Sequence, residues 1–270
     1  MLFRYFGQQA AWERKGFRFK MPIKLLDSTL VSLTISVYDW AHYTTSKGAV
    51  KMHTLLDYDC LLPEFMNITG GKRTDNKAAF DIEIKPHSIV VADRGYCDYG
   101  LLNHWDSNNV FYVVRHKDDI QHRTIKELPL PEKHAQNVLL DEIIEFELPT
   151  AKDKCPKRLR RIAVWDEEHG FVIELLSNNV TLAASTIAKL YKARWNIEIF
   201  FHNLKQLLRI KSFIGISRNA VETQIWTAMI TMLLFMWLKH IARYKWALAN
   251  LAFLATTEYI PQIDLYKRLN

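Results

Sequence analysis

Tyr191, Arg194, Glu198 and Lys205 stand in the stretch "YKARWNIEIFFHNLK", whose remaining residues are mostly bulky and apolar. At about 100° per residue of helix, all four project within an arc of about 60°. Leu190, Ile197, Phe201, Leu204 and Leu208 fall on the adjacent arc, so Glu198 is expected at the edge of a core-facing side. Two readings stay open at this point. Arg194 and Glu198, four residues apart, can form an ordinary helical ion pair worth a few tenths of a kcal/mol, roughly. Alternatively the four form one functional stripe, because Arg preceding Glu is the weaker pairing order and the ion pair leaves Tyr191 and Lys205 without a role.

Two aspartates favour the stripe. Asp27 in "PIKLLDS" and Asp93 in "HSIVVADRGY" each close an apolar run, and a carboxylate ending a buried strand is costly unless it is paired or holds a metal. Two strand-end carboxylates and one from a helix would concentrate three negative charges, which calls for divalent cations. Oxygen donors without His or Cys select Mg²⁺ or Mn²⁺. The chemistry suited to two such ions is phosphodiester cleavage and transfer. Arg194 would then fork onto phosphate oxygens, Lys205 would act as a point charge, and the Tyr191 hydroxyl would donate one hydrogen bond. Asp39, Asp57 and Asp59 are read as solvated strand-end acids, and His53 and His202 as structural. Cys97 beside Asp98 has no paired base in view.

The elements that must position these groups divide the chain in three. "VSLTISV" alternates strictly, as a strand with one wet face does, and "GAVKMHTLLDYD" is its candidate partner. "HSIVVADRGY" and "NVFYVVRHK" carry continuous apolar runs that predict strands buried on both faces. "KRTDNKAAF" and "CDYGLLNHWDS" are helix-compatible, so residues 1–117 read as the first part of a mixed α/β sheet flanked by helices. Residues 118–180, with "DEIIEFELP", "RLRRIAVWDEEHG" and "GFVIELLSNN", read as a β-rich insertion. From Thr181, a plausible N-cap, residues 181–270 turn helical, with one long helix over "LAASTIAKLYKARWNIEIFFHNLKQLL".

Charge sits unevenly. The net charge is +7, yet residues 181–270 hold twelve Lys/Arg against four Asp/Glu. A polyanion such as DNA accounts for that asymmetry through counterion release, and a solvated basic helical surface accounts for it equally. Cys60, Cys97 and Cys155 are scattered and odd in number, which fits a reducing compartment and neither a disulfide framework nor a zinc site. The opening "MLFRYFGQQAAWERKGFRFK" interleaves aromatic and basic residues, unlike a secretory signal. "IWTAMITMLLFMWL", from Ile225 to Leu238, is too short to span a bilayer comfortably and is expected to be a buried helix, with no membrane partner.

The stretch from Tyr191 to Lys205 resembles the Tyr-x2-Arg-x3-Glu-x6-Lys signature of bacterial insertion-sequence transposases with an Asp-Asp-Glu triad. "LLDST" and "VADRGY" are similar to the segments that hold that family's first and second aspartates, and "IKSFIGISRNAVETQIWTAMITMLL" is similar to the segment on the C-terminal side of the signature. The resemblance runs from about Pro22 to Leu238. It implies a ribonuclease-H-like sheet with Asp27, Asp93 and Glu198 as catalytic, metal-binding triad, and two Mg²⁺ or Mn²⁺ ions. It implies Tyr191, Arg194 and Lys205 on transposon-end DNA, target DNA as second partner, and a homodimer in the DNA complex. It also implies a bacterial, cytoplasmic, nucleoid-associated protein whose insertion serves cleavage through a DNA hairpin. In that setting Arg158, Arg160 and Arg161 of "KCPKRLRRIAVW" would contact phosphates and Trp165 would stack on an extruded base. For Trp165, packing inside the insertion stays open beside that role. Only 26 residues precede Asp27, where family members carry a substantial region that binds the terminal repeats, so the reading does not extend to sequence-specific end recognition. Two further readings remain: a non-catalytic DNA-binding or dimerising fragment, and a structure-selective nuclease of the same fold.

Overall fold

A computed structural model of the chain describes residues 17, 19–34, 36–41, 43–44, 48–117, 121–130, 137–208 and 213–241. One mixed sheet organises them. Strands β1 (Ile23–Leu33), β2 (Gly48–Asp57), β3 (Pro63–Gly70), β4 (Ile89–Ala92), β5 (Phe111–Arg115), β6 (His122–Glu127), β7 (Val138–Phe146), β8 (Leu159–Asp166) and β9 (Phe171–Ser177) lie in the order β3-β2-β1-β4-β5-β9-β8-β7-β6. β4 runs parallel to both β1 and β5, and β2 lies between β1 and β3, antiparallel to each. The helices are α1 (Asp75–Ala79), α2 (Tyr99–Ser107), α3 (Pro149–Lys154), α4 (Ala184–Ala193), α5 (Trp195–Leu208) and α6 (Arg218–Ile241).

The parallel centre is buried as its apolar runs predict. Along β4, Ile89 and Val91 face one core while Val90 and Ala92 face the other, and all four are at most 1% exposed. The first core holds α4, α5 and α6 through Ile187, Leu190, Ile197, Phe201, Leu204 and Ile225. The second holds α1, α2 and α3 through Ala79, Leu101, Trp105 and Ala151. Period-two alternation thus gives each central strand two apolar faces, one for each helical layer.

Three expectations need correction, and the insertion gains a place in the sheet. "PIKLLDS" and the alternating stretch after it are one strand, so Asp27 lies inside β1 and not at its end. It still lies just past the last apolar pair of the β1–β4 ladder, which stops at Leu26 and Ala92. The insertion strands extend the sheet itself: β9 pairs antiparallel with β5, with Val113 opposite Ser177. The long helix is two, since the chain turns at Arg194, where Asn196 Nδ2 donates to the freed Ala193 carbonyl at 2.7 Å. Thr181 is not its N-cap: its hydroxyl donates to Asn179 Oδ1 at 3.1 Å, and α4 starts after Ala183.

α6 also departs from a fully buried helix. It is long and apolar enough to cross a membrane by length and composition, and it packs on the first core through Val221, Ile225, Met229, Met232 and Leu233. Trp226, Ile230 and Leu234 on its other side are about two-fifths exposed. The basic residues of 242–270 lie outside the described residues.

Candidate active site

Parallel register brings the two aspartates together. Leu26 pairs with Ala92, so Asp27 and Asp93 are the next residues on adjacent strands, just past the last apolar pair. Asp93 ends β4 and caps a single tight turn, its Oδ1 accepting from Gly95 N at 2.8 Å. Gly95 keeps the turn tight: a Cβ there would lie 3.0 Å from Asp93 Oδ1, which would have to give way. Asp27 Oδ1 accepts from Ser28 N at 2.7 Å, and its side chain is 14% exposed.

Glu198 reaches this pair through Arg194. The turn between α4 and α5 aims the guanidinium at the sheet, where Nη2 donates to Glu198 Oε1 at 2.6 Å and Nη1 to Asp27 Oδ2 at 3.3 Å. Arg194 and Glu198 thus form the ion pair, and the same cation ties the helix to Asp27. Tyr191 contributes its ring, with the guanidinium carbon 5.7 Å from the centroid. Arg194 Nε is buried and has no hydrogen-bond partner. Lys205 has no ion pair among the described residues, and partial burial lowers its pKa.

The electrostatics are those of excess negative charge. Burial raises the Asp27 pKa from 3.8 to about 7; Asp93 adds to the rise, Arg194 opposes it, and Glu198 contributes last. Arg194 is correspondingly held above its ordinary value by Tyr191, Asp27 and Glu198, against the opposing effect of burial. Among the described residues, no three of His, Cys, Asp and Glu are placed to cage a metal ion as they stand. The guanidinium occupies the place between Asp27 and Glu198 instead. The donor set nonetheless fits a hard divalent cation: it is all oxygen, partly desolvated, and its one cation leaves Asp27 with a strongly raised pKa.

The insertion arginines differ from expectation. Arg160 shares a face of β8 with Ile162 and Val164, so it points inward and is 4% exposed. It binds Asp141 bidentately at 2.7 and 2.6 Å, and its Nη1 donates to the Leu182 carbonyl at 2.6 Å, fastening the insertion to the start of α4. Arg161, on the opposite face, is held by Glu142 at 2.6 Å and Glu174 at 2.5 Å. Neither is presented to a phosphate. Arg158 is exposed, at 3.9 Å from Glu145. Trp165 is 40% exposed beside its cross-strand partner Val172, with Phe171 and Leu139 also open to solvent, so it is not packed within the insertion.

The remaining acids and histidines sort clearly. Asp39 and Asp59 are exposed. Asp57 is no solvated acid: it pairs with buried Lys24 at 2.6 Å. His53 is 1% exposed, its Nε2 3.0 Å from Thr69 Oγ1. His202 is exposed and contacts Gln206. Cys97 is buried.

Asp75 is the residue the sequence did not single out. It begins α1, and its Oδ1 accepts from Ser28 Oγ at 2.6 Å and from Lys51 Nζ at 3.2 Å. The same absent Cβ of Gly95 would lie 3.5 Å from Asp75 Oδ2, so a fourth carboxylate adjoins Asp93. In the sequence it reads as a helix-starting acid, and only the spacing of α1 against β4 could have revealed it.

Comparison with known proteins gives consistent matches. Residues 18–234 match the transposase DDE domain family. A protein described as "Probable transposase for insertion sequence element IS5377", from Geobacillus stearothermophilus, is 29% identical over 225 residues, 83% of this chain and 59% of the relative. The protein y4zB of Sinorhizobium fredii, likewise named a transposase, is 32% identical over 209 residues, 77% of this chain and 58% of the relative. The chain thus spans under three-fifths of the length of these relatives. A cryo-EM structure of a piggyBac transposase synaptic complex with hairpin DNA aligns with a TM-score of 0.48 at 12% identity, covering 91% of this chain and 56% of that one.

Proposed function

The chain belongs to the transposase DDE domain family, and from that premise we propose that it is the catalytic domain of a DNA transposase, cutting phosphodiesters at element ends and joining them to target DNA. The observation that carries the reading is the register that sets Asp27 beside Asp93 just past the end of the β1–β4 ladder, with Arg194 paired to both Asp27 and Glu198. The order β3-β2-β1-β4-β5, antiparallel on one side and parallel on the other, supports a ribonuclease-H-like core extended by the insertion.

In this reading Asp27, Asp93 and Glu198 hold two Mg²⁺ or Mn²⁺ ions. Bound there, the ions supply Lewis acidity for both the attacking and the leaving oxygen. The chain's own residues do the rest. Arg194 and Lys205 hold phosphate, Arg194 by forking onto two oxygens and Lys205 as a point charge. Tyr191 keeps Arg194 in line by lying under the guanidinium. Trp165, exposed at the rim of the insertion, is the stacking residue for a flipped base in a hairpin route, and Arg158 adds a phosphate contact. A pair of such domains bringing two ends together, in the cytoplasm of a bacterial cell near its nucleoid, completes the reading.

The test is cleavage of DNA carrying the element's ends with Mg²⁺ or Mn²⁺, then joining of a precut end. Nicking and strand transfer that vanish in Asp93→Ala support the proposal. Nicking without joining favours a nuclease of the same fold. DNA binding with wild type and Asp93→Ala equally inert favours a non-catalytic DNA-binding fragment.

A further inference from the structure

We propose that Asp75 is a fourth carboxylate of the site, a positioning residue that aligns Asp27 and Asp93 and strengthens the hold of the site on divalent cations. The inference rests on the metal-binding reading of the Asp27–Asp93–Glu198 site and adds a residue to it.

The geometry is a two-sided clamp. Alternation along β1 sends Asp27 to the α4–α5 face and Ser28 to the α1 face. Ser28 serves both sides: its N–H donates to Asp27 Oδ1 at 2.7 Å and its hydroxyl donates to Asp75 Oδ1 at 2.6 Å. Asp75 thereby fixes the strand residue that orients Asp27. Its other oxygen, Oδ2, has no hydrogen-bond partner among the described residues and lies toward the Gly95 turn. That turn is the one whose amide holds Asp93 Oδ1 at 2.8 Å.

Two buried polar groups show that this corner is arranged around charge. The Tyr96 hydroxyl is buried beside Ser28 and is pushed well above the ordinary phenol range by burial and by Asp27, Asp75 and Asp93, with Ser28 opposing the rise. His53 Nδ1 is also buried, has no hydrogen bond, and lies 3.7 Å from Asp75 Oδ1. An ordinary helix-start acid is solvated; Asp75 instead sits over Ser28, Lys51, His53 and the Asp93 turn. Groups that orient metal-holding carboxylates are worth about 10- to 100-fold in metal affinity.

Lys51 supplies a test of sign. Its ammonium pairs with Asp75 Oδ1 at 3.2 Å and so offsets part of the acid's potential at the site. Removing the acid's charge and removing the lysine's charge must move cation affinity in opposite directions.

The experiment is Mn²⁺ binding by the whole chain, read from the electron paramagnetic resonance of free Mn²⁺, with melting curves in chelator alongside. Asp75→Asn keeps an acceptor for Ser28 but not the charge, and is expected to weaken Mn²⁺ binding about tenfold. Lys51→Met is expected to tighten it, and the double variant to return near wild type. If Asp75→Asn does not fold, the sign for Lys51→Met decides. Wild-type binding with unchanged affinity in both variants, or with both variants weakened alike, overturns this inference and leaves the site reading standing. A wild-type chain that binds no Mn²⁺ overturns both.

Discussion

Asp27 and Asp93 are side by side because the parallel ladder between β1 and β4 ends one residue earlier, at Leu26 and Ala92. Two buried strands whose apolar pairing stops in register leave two carboxylates at the same level of the sheet. The repulsion from Asp93 and the desolvation of Asp27 are built into the topology, and one guanidinium from across the core offsets only part of them.

The first prediction concerns pH. Asp27 has a folded pKa of about 7 against 3.8 in a free side chain, chiefly from burial. The folded state therefore binds its proton more tightly than the unfolded state. The stability Asp27 contributes is complete below pH about 4 and is lost as pH rises through about 7. Asp27→Asn in chelator should unfold at higher urea than wild type at pH 8, by about 2–4 kcal/mol, and match wild type near pH 4. Equal stabilities at pH 8 would refute the electrostatic account.

Metal linkage gives the second. Arg194 stands where a cation would relieve Asp27 and Glu198, so guanidinium and metal compete. Arg194→Met should lower stability in chelator by roughly 1–3 kcal/mol at pH 8, since two partly buried carboxylates lose their partner. Millimolar Mn²⁺ should then raise its melting temperature by more than it raises that of wild type. DNA binding should move the other way, with weaker affinity and a shallower salt dependence by about one unit. A variant whose response to Mn²⁺ matches wild type would show that the two do not compete.

How much of this was legible in the chain depends on the range of the signal. The continuous apolar run of β4 and the helical spacing around Glu198 are local patterns, and Val90, Ile197, Phe201 and Leu204 are buried as those patterns require. Asp27 reads as a strand end because an acid inside "LLDSTL" looks like a terminus, and only pairing with β2 keeps β1 going through it. The break at Arg194 has no Pro or Gly to announce it. Arg160 and Arg161 mislead for a related reason. A run of basic residues in an alternating strand looks solvated until the partners Asp141, Glu142 and Glu174 arrive from neighbouring strands. Asp75 is invisible in the sequence because its partners come from β1 and β2 and its neighbour from the turn after β4.

Those arginines make the third prediction. Arg160→Ala strands buried Asp141, 4% exposed, and frees the Leu182 carbonyl, so it should cost about 3–5 kcal/mol in urea unfolding. Arg158→Ala, at the surface of the same strand region, should leave the melting temperature within about 2 °C of wild type. If Arg158 meets phosphate, its loss should still reduce the salt slope of DNA binding by about one. Destabilisation by Arg158→Ala equal to that by Arg160→Ala would remove the distinction between a clamp and a contact.

Trp165 separates packing from recognition. It is 40% exposed and its cross-strand neighbour Val172 is 42% exposed, so truncation opens no sealed cavity. Trp165→Ala should change the melting temperature by less than about 3 °C. Stacking of one base on an aromatic ring is worth about 1–3 kcal/mol, so loss of that platform should slow hairpin formation at a nicked end, where the free 3′ hydroxyl attacks the opposite strand and the flanking DNA leaves, by roughly ten- to hundredfold, and Trp165→Phe should restore part of it. A 2-aminopurine placed at the terminal base, dim while stacked in the duplex, should stay dim on the wild-type indole and brighten when extruded by Trp165→Ala. Hairpin formation at wild-type rate in Trp165→Ala, with the same quenching, would mean that the exposed indole meets something other than an extruded base.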